Sequence, residues 1–453
     1  MTYRGYRWWM PILALLTGCG DADDEAPSAD PGPAACTVDV AAERSLVEGG
    51  TAVLPLSLAG PVSDLTPVPD GFSGRLNLEG DATLRLRPDY GTGDTTQTLA
   101  LSYDCDGRQA SVDLSFAVRR ITWRALPTWI EGDTGPLNRE YGALWVAPDD
   151  PDGMFAFGGF HYRPTQFTPA NELWRFDLSS EAWAQLGAEE APLRPGAGLA
   201  LADGVPFLFG GLEGNTTPSS LFRLDGLDGS GAAFSEVALD HAGGDAVGDY
   251  QPSFVFDAPR GRFVTACGAN TAWGDHCRVR VIDPATGAVT EAEVDGPRPE
   301  GRSGQFWIHD EAEARLIIFG GYAGAGATDG TFFGDTWALE LAERPLRWVQ
   351  LDDGTADGAP EGRRNGVYVY DPDGRRFFMW GGTPDGMSAS LGLFAFDLER
   401  GQEGWVQVET GGDEAPPPRS SGHGVYDAAR RQIVLGFGNS NQGVFADLWA
   451  LSL

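Results

Sequence analysis

RSGQFWIHD at residues 302–310 and ARLIIFGGY at residues 314–322 decide the fold. The first is an extended run closed by a polar turn; the second is an apolar run stopped by Gly320 and Gly321. After a variable loop come GDTWALEL (334–341) and RWVQL (347–351), two more short runs rich in β-formers. The unit therefore reads as four strands joined by turns. Four such strands bury too little apolar face to be stable alone, so further copies are expected.

The same apolar run ending in glycine recurs as MFAFGGF (154–160), FLFGGL (207–212) and FFMWGGT (377–383), with a sixth copy in QIVLGFGNS (432–440). The gap between Gly210 and Gly320 is twice the usual spacing, and FVTACGAN (263–270) fills it as a degenerate copy. The period lies in the fifties. After the glycines come NELWRFDL (171–178) or ADLWALSL (446–453), and then AWAQL (182–186) or GWVQV (404–408). This succession resembles the kelch repeat over roughly residues 121–453. The resemblance implies an all-β chain with a six-bladed kelch-type β-propeller, the first strand of each repeat innermost and the fourth outermost.

Residues 121–128, ITWRALPT, match a fourth strand that has no three strands before it, while the chain ends on a third strand at 446–453. The orphan at the front is expected to complete the blade at the back and remove an open sheet edge. The domain boundary then falls just before Ile121.

Residues 1–18 read as a lipoprotein signal peptide. Arg4 and Arg7 precede an apolar segment too short to span a bilayer, and LTGC at 16–19 has the form of a lipobox that would make Cys19 the lipidated N-terminus. Gly20 after the cysteine favours the outer membrane of a bacterial cell envelope. Residues 19–35 form an acidic tether without large apolar residues. From 36 to 120, alternating runs such as ATLRLRP and QTLALSYDC predict a small antiparallel β-sandwich, immunoglobulin-like, serving as spacer or docking module. In an oxidising compartment the remaining cysteines are expected to pair as Cys36 with Cys105 and Cys267 with Cys277, the latter across the loop between second and third strands of the third blade. A metal site at Cys267, Cys277 and His276 would lack a fourth ligand, so no metal or cofactor is expected.

With 65 acidic residues, 32 basic ones and a net charge of −33, no lysine among them, the chain is not expected to bind nucleic acid. Many acids sit in hairpin turns such as PDDPDG (148–153) and DPDG (371–374), without the ligand spacing of a calcium loop. No GxSxG, HExxH or sialidase-type box occurs. A copper-oxidase centre is disfavoured, because the cysteines are committed and the five histidines fall at non-equivalent positions.

One constellation remains. Arg139, Arg194, Arg302, Arg363 and Arg419 occupy matching places before the first strands of five repeats, and Asp249 stands there in the third. Such guanidiniums could grip an acidic ligand, or could pair with acids such as Glu172, Asp335 and Asp447 at the third strands. The loops after the doublets carry exposed-type residues suited to recognition, Tyr162, Tyr322 and Asn441 among them. The expectation is an envelope-anchored, monomeric lipoprotein, touching the membrane only through its lipid. Its propeller loop face binds a protein or glycan without catalysis, through Arg139, Arg302, Arg363, Arg419, His423, Tyr162, Tyr322 and Asn441. The rival is an epimerase- or lyase-like enzyme acting on an acidic sugar at the channel mouth, with His423 and Arg419 as its groups.

Overall fold

The structure, a computed structural model, describes residues 36–453 apart from 41–44, 51, 61, 69–71, 78–82, 92, 128–134, 137, 164–165, 228–230, 243–245, 327, 400–402 and 413. The expected signal peptide, Cys19 and the tether lie outside the described residues. The described chain is all-β, built of many small antiparallel sheets, with two short 3-10 turns at Ala258–Arg260 and Glu311–Glu313.

From residue 121 on, six sheets share one plan. In the fourth, Phe306–Asp310, Arg315–Phe319, Thr336–Glu340 and Leu346–Asp352 pair antiparallel in chain order, as the stretch at 302–351 predicts. The other first strands are Ala143–Ala147, Ala197–Ala202, Ser253–Asp257, Val367–Asp371 and His423–Asp427. In the sixth sheet, Leu448–Ser452 pairs on its outer side with Trp123–Ala125, matching Leu451 with Trp123 and Trp449 with Ala125. The third sheet departs from expectation. Arg262–Asn270 and Gly274–Ile282 continue as one long hairpin, so Cys267 and Cys277 face each other inside paired strands rather than across a loop, Cys267 at a bulge with φ +57°. Their sulfurs are 2.08 Å apart, and those of Cys36 and Cys105 are 2.05 Å apart.

Apolar side chains alternate onto both faces of each sheet, and every pair of successive sheets encloses its own core. Phe306, Phe319, Phe377 and Trp405 lie between the fourth and fifth, and Met154, Phe176, Val434 and Leu448 join the first to the sixth. First strands touch in succession, and Ala143–Ala147 touches His423–Asp427.

Backbone bonds stitch these junctions. At five of the six junctions the second residue of the turn donates its N–H to the carbonyl of the residue at the arginine position of the next sheet: Gly211 to Asp249 (2.8 Å), Gly268 to Arg302 (2.8 Å), Gly321 to Arg363 (2.8 Å), Gly382 to Arg419 (2.9 Å) and Gly438 to Arg139 (2.7 Å). This contact explains the doublet. A Cβ on Gly320 would stand 2.5 Å from the Arg363 carbonyl oxygen, and its φ of +65° already favours glycine. Gly320→Ala should therefore lower stability by about 2 kcal/mol or more, read by denaturant titration. Gly404→Ala, where a Cβ would meet open space, is the control.

Residues 36–120 form two four-stranded sheets, ordered Thr37–Val40, Ala52–Ala59, Thr83–Pro88, Phe72–Asn77 and Ser45–Val47, Arg108–Arg119, Thr95–Cys105, Val62–Val68, around one shared core that includes Leu54, Leu84, Leu101 and Phe116. This unit is joined firmly to the fifth sheet. Arg376 donates to Tyr90 Oη (2.6 Å), Arg87 pairs with Asp397, and Arg85 donates to the Asp373 carbonyl (2.9 Å). Glu48 is wholly buried beneath them and accepts N–H bonds from Gly91, Gly93 and Ile121 at 3.0, 2.9 and 3.2 Å.

Candidate functional site: the axial cavity and its arginine collar

The six first strands enclose a cavity of about 180 Å³. One residue per sheet, Tyr141, Gly196, Gln251, Gly304, Asn365 and Ser421, lines it in the left-handed conformation, with φ between 50° and 70°. These residues hand hydrogen bonds around the axis: Gly196 N–H to Tyr141 O (2.8 Å), Gln251 to Gly196 (2.8 Å), Asn365 to Gly304 (2.8 Å), Tyr141 to Ser421 (3.3 Å), and Ser421 to Asn365. Their side chains meet across the axis, where Gln251 Nε2 donates to Asn365 Oδ1 (2.9 Å) and Asn365 Nδ2 to Tyr141 Oη (3.3 Å). One end of the cavity is thus spanned by a polar cap. Beyond it the wall is aromatic, with Trp307 and Tyr368 5.7 Å apart, and carries His423.

His423 lies on the wall with its Nε2 unpartnered, and burial together with Arg139 holds its pKa down to about 4. Glu140, beside the cap, is pushed the other way, up to about 7, by burial. Its carboxylate accepts from Asn439. The folded His423 resists a proton that the unfolded chain takes up near pH 6.5, so its contribution to stability is lost as pH falls from about 6.5 to about 4. Glu140 works in the opposite sense, its contribution lost as pH rises through about 7. His423→Leu should therefore flatten the acid limb of the stability curve, making wild type lose about 2 to 3 kcal/mol more than the variant between pH 6.5 and 4. Thermal unfolding at fixed ionic strength reads it; parallel curves for the two proteins would refute the assignment.

The arginines do not line this cavity. Arg302, at a matching distance before the cap residue, is fully buried and turns onto its own sheet: Nη1 donates to Gly320 O (3.1 Å) and Nη2 to Asp335 Oδ2 (3.2 Å), with Nε on Glu300 O (3.0 Å). Arg419 repeats the arrangement on Phe437 O (3.0 Å) and both oxygens of Asp447 (2.8 and 2.9 Å). Arg139 donates to Gly158 O (3.1 Å) and meets His161, whose Nε2 is 3.2 Å from Glu172. In the third sheet the polarity is exchanged. Asp249 accepts from Arg280, Asn270 (2.8 Å) and His276 Nε2 (2.8 Å). His276 Nδ1 accepts the Arg278 N–H (3.2 Å).

Two members lack the inner acid. Ser220 and Gly392 stand immediately before the third strands, where Asp335 and Asp447 stand in their sheets. Arg363 has Gly381 O (3.2 Å), Glu361 O (3.0 Å) and the exposed Glu361 carboxylate (3.5 Å), and burial lowers its pKa. Arg194 is the other. Asp335→Ala should cost about 3–5 kcal/mol by leaving Arg302 buried without its carboxylate, whereas Arg302→Met with Asp335→Leu should cost far less. A double-mutant cycle in denaturant checks this.

The remaining sequence-expected residues scatter. Tyr322 is buried, donates to Asp329 Oδ1 (3.0 Å) and carries Arg364 over its ring at 4.3 Å. Asn441 is exposed in the turn between Asn439–Ser440 and Gly443–Val444. Tyr162 pairs in register with Phe167 on Phe160–Arg163, and its side chain is outside the described residues. The structure therefore does not gather the expected ligand set into one place; Arg419 and His423 in particular do not share a cavity wall. Sequence reasoning missed the left-handed cap residues and Glu140. It also missed the acid absent opposite Arg194 and Arg363, which aligning NELW, SSLF, GDTW, LGLF and ADLW would have revealed. Among the described residues, no cluster of three or more His, Cys, Asp or Glu is placed to hold a metal, and no helix is long and apolar enough to cross a membrane.

Residues 261–453 match the KLHDC2/KLHL20/DRC7 Kelch-repeats domain, and that part of the chain is a kelch-repeat domain. No curated protein matches the chain.

Proposed function

We propose that the chain is an envelope lipoprotein, anchored through Cys19, whose six-bladed propeller binds a protein or glycan at one end and performs no catalysis. Kelch-repeat domains are typically binding modules. The six sheets act as blades, closed by Trp123–Ala125 on Leu448–Ser452, and the residues before Ile121 act as an immunoglobulin-like sandwich docked on the fifth blade. The reading rests on one observation. Antiparallel order brings the second-to-third connections and the entries to the first strands to one end of every sheet, and exposed apolar side chains concentrate there. Phe167 (52%), Leu193 (45%), Met387 (71%) and Leu391 (65%) are exposed at that end. Single exposed apolar residues are ordinary, but four on connections of one end suit a docking face.

The rival enzyme reading has lost support, since the Arg419 guanidinium is held by Asp447. Soluble full-length chain carrying Cys19→Ser, applied to a glycan array and to cross-linking with envelope proteins, should give saturable partners. Phe167→Ser and Met387→Ser, both on exposed side chains, should each weaken capture severalfold without changing the melting temperature. Capture indifferent to both substitutions would sink the loop-end assignment.

A further inference from the structure

Arg194 is the one arginine of the collar whose side chain is diverted from the shared pattern. In Arg302, Arg363 and Arg419 the Nε donates to the carbonyl two residues earlier, and Nη1 donates to a carbonyl of the glycine turn in the same sheet. Arg194 instead donates Nη1 to its neighbour's carbonyl at Leu193 (3.1 Å), while its buried Nε has no hydrogen-bond partner. Ser220 replaces the acid that would have held it. Its side chain is nevertheless nine-tenths buried, and its only carboxylate is Glu213 at 3.3 Å, which is 61% exposed. A charge this buried normally has a firm counter-ion, and an ion pair with an exposed, long side chain contributes little.

The guanidinium faces a recess of about 430 Å³ between the first and second sheets, within the size range of small-molecule sites. Its walls are largely apolar, with Phe160, Pro192, Leu212 and Phe222, and also carry Asn171, Glu190 and Glu213; Arg194 stands 5.5 Å from the Phe222 ring centre. Two of the exposed apolar residues of the loop end, Leu193 on the rim and Phe167 packed 6.2 Å from Phe160, border it. Arg363 also lacks its inner acid, yet its Nε is satisfied and it lines neither cavity described above. The two departures, a missing acid and an open recess, coincide only at Arg194.

We infer that this recess binds a small organic acid, its carboxylate taken by the Arg194 guanidinium and its apolar body by Phe160, Leu212 and Phe222. The inference deepens the reading of this end as a binding face and rests on it. A planar guanidinium offers donors in the geometry that a carboxylate accepts. Glu213, 3.3 Å from Nη2, competes for the guanidinium and swings to solvent when the acid enters. The strongly negative surface, at a net −33, opposes approach of any anion, so the discrimination must come from this buried charge at contact range rather than from long-range attraction.

The test uses 3-phenylpropionate and its neutral amide, titrated into the full-length protein and followed by ligand-observed NMR. The acid should bind saturably and at least about tenfold more tightly than the amide, as a charge-assisted pair requires. Arg194→Gln should abolish that preference, so that acid and amide bind alike. Glu213→Gln, on a largely exposed residue, should tighten the acid severalfold by removing the competing carboxylate and leave the amide unchanged. Equal binding of acid and amide to wild type, a preference that survives Arg194→Gln, or no saturation of the acid by about 10 mM would each overturn the inference. Partner capture that depends on Phe167 with no acid preference would refute this site alone. An acid preference without any such capture would leave the site standing and the wider reading without its partner.

Discussion

At five of the six junctions the carbonyl of the residue two before the cap position accepts an N–H from the preceding sheet's glycine turn, and the packing of this part of the molecule depends on that bond. It fixes how close successive sheets come, and so how tightly the clusters between them can pack. It also fixes where the residue's own side chain must go. With the Arg363 carbonyl committed to Gly321, its guanidinium reaches Gly381 of its own sheet, and Arg419, committed to Gly382, reaches Phe437 O in the same way. Backbone thus ties sheet to next sheet while the side chain ties entry to exit within one sheet. Both ends of that arrangement bring backbone carbonyls against the turn, which favours glycine there, although Cys267 and Phe437 take the first position at a similar left-handed angle.

The side-chain half of this device is replaceable, and the variation among sheets is informative. Asp249 with Arg280 shows that opposite charges can trade places when the third strand supplies the cation. Arg139 reaches its acid through His161, and Arg302 and Arg419 reach theirs directly. A buried pair is a poor source of stability but a costly thing to break, so each solution conserves charge balance rather than geometry. Ser220 and Gly392 break that balance, and a buried cation whose structural acid is missing marks the place where structure alone no longer accounts for the sequence.

Much of the fold was legible, for reasons that lie in particular residues. Gly320 and Gly321 terminate an apolar run where the backbone turns left-handed beside a neighbouring carbonyl, a turn that favours glycine, so the repeat announces itself. Strand positions followed from an extended run at FWIHD and a continuous apolar run at RLIIF. The site was far less legible. Arg302 and Arg194 occupy equivalent sequence positions and differ only by an acid 33 residues downstream of the first, at Asp335, which has no counterpart in the second sheet. Tyr141, Gln251, Asn365 and Ser421 adopt left-handed backbone without being glycine, a conformation that residue type does not disclose. The disulfide at Cys267 lies within a hairpin because the two strands outrun their equivalents by several residues, which turn composition did not reveal.

The attachment of residues 36–120 carries the argument to the envelope. Tyr90, Arg87 and Arg85 meet the turn at Asp371–Arg376 and Asp397 at the end of the third strand, the end of the fifth sheet opposite Met387 and Leu391. Glu48, buried and holding three backbone N–H groups that include Ile121 at the start of the sixth sheet's outer strand, makes that junction stiff rather than hinged. A flexible spacer would leave the binding end free to turn toward the membrane. This junction places residues 36–120 at the far end of the fifth sheet from the loop connections. The exposed apolar residues and the Arg194 recess therefore lie at the end left uncovered by residues 36–120, where a ligand or a partner can reach them.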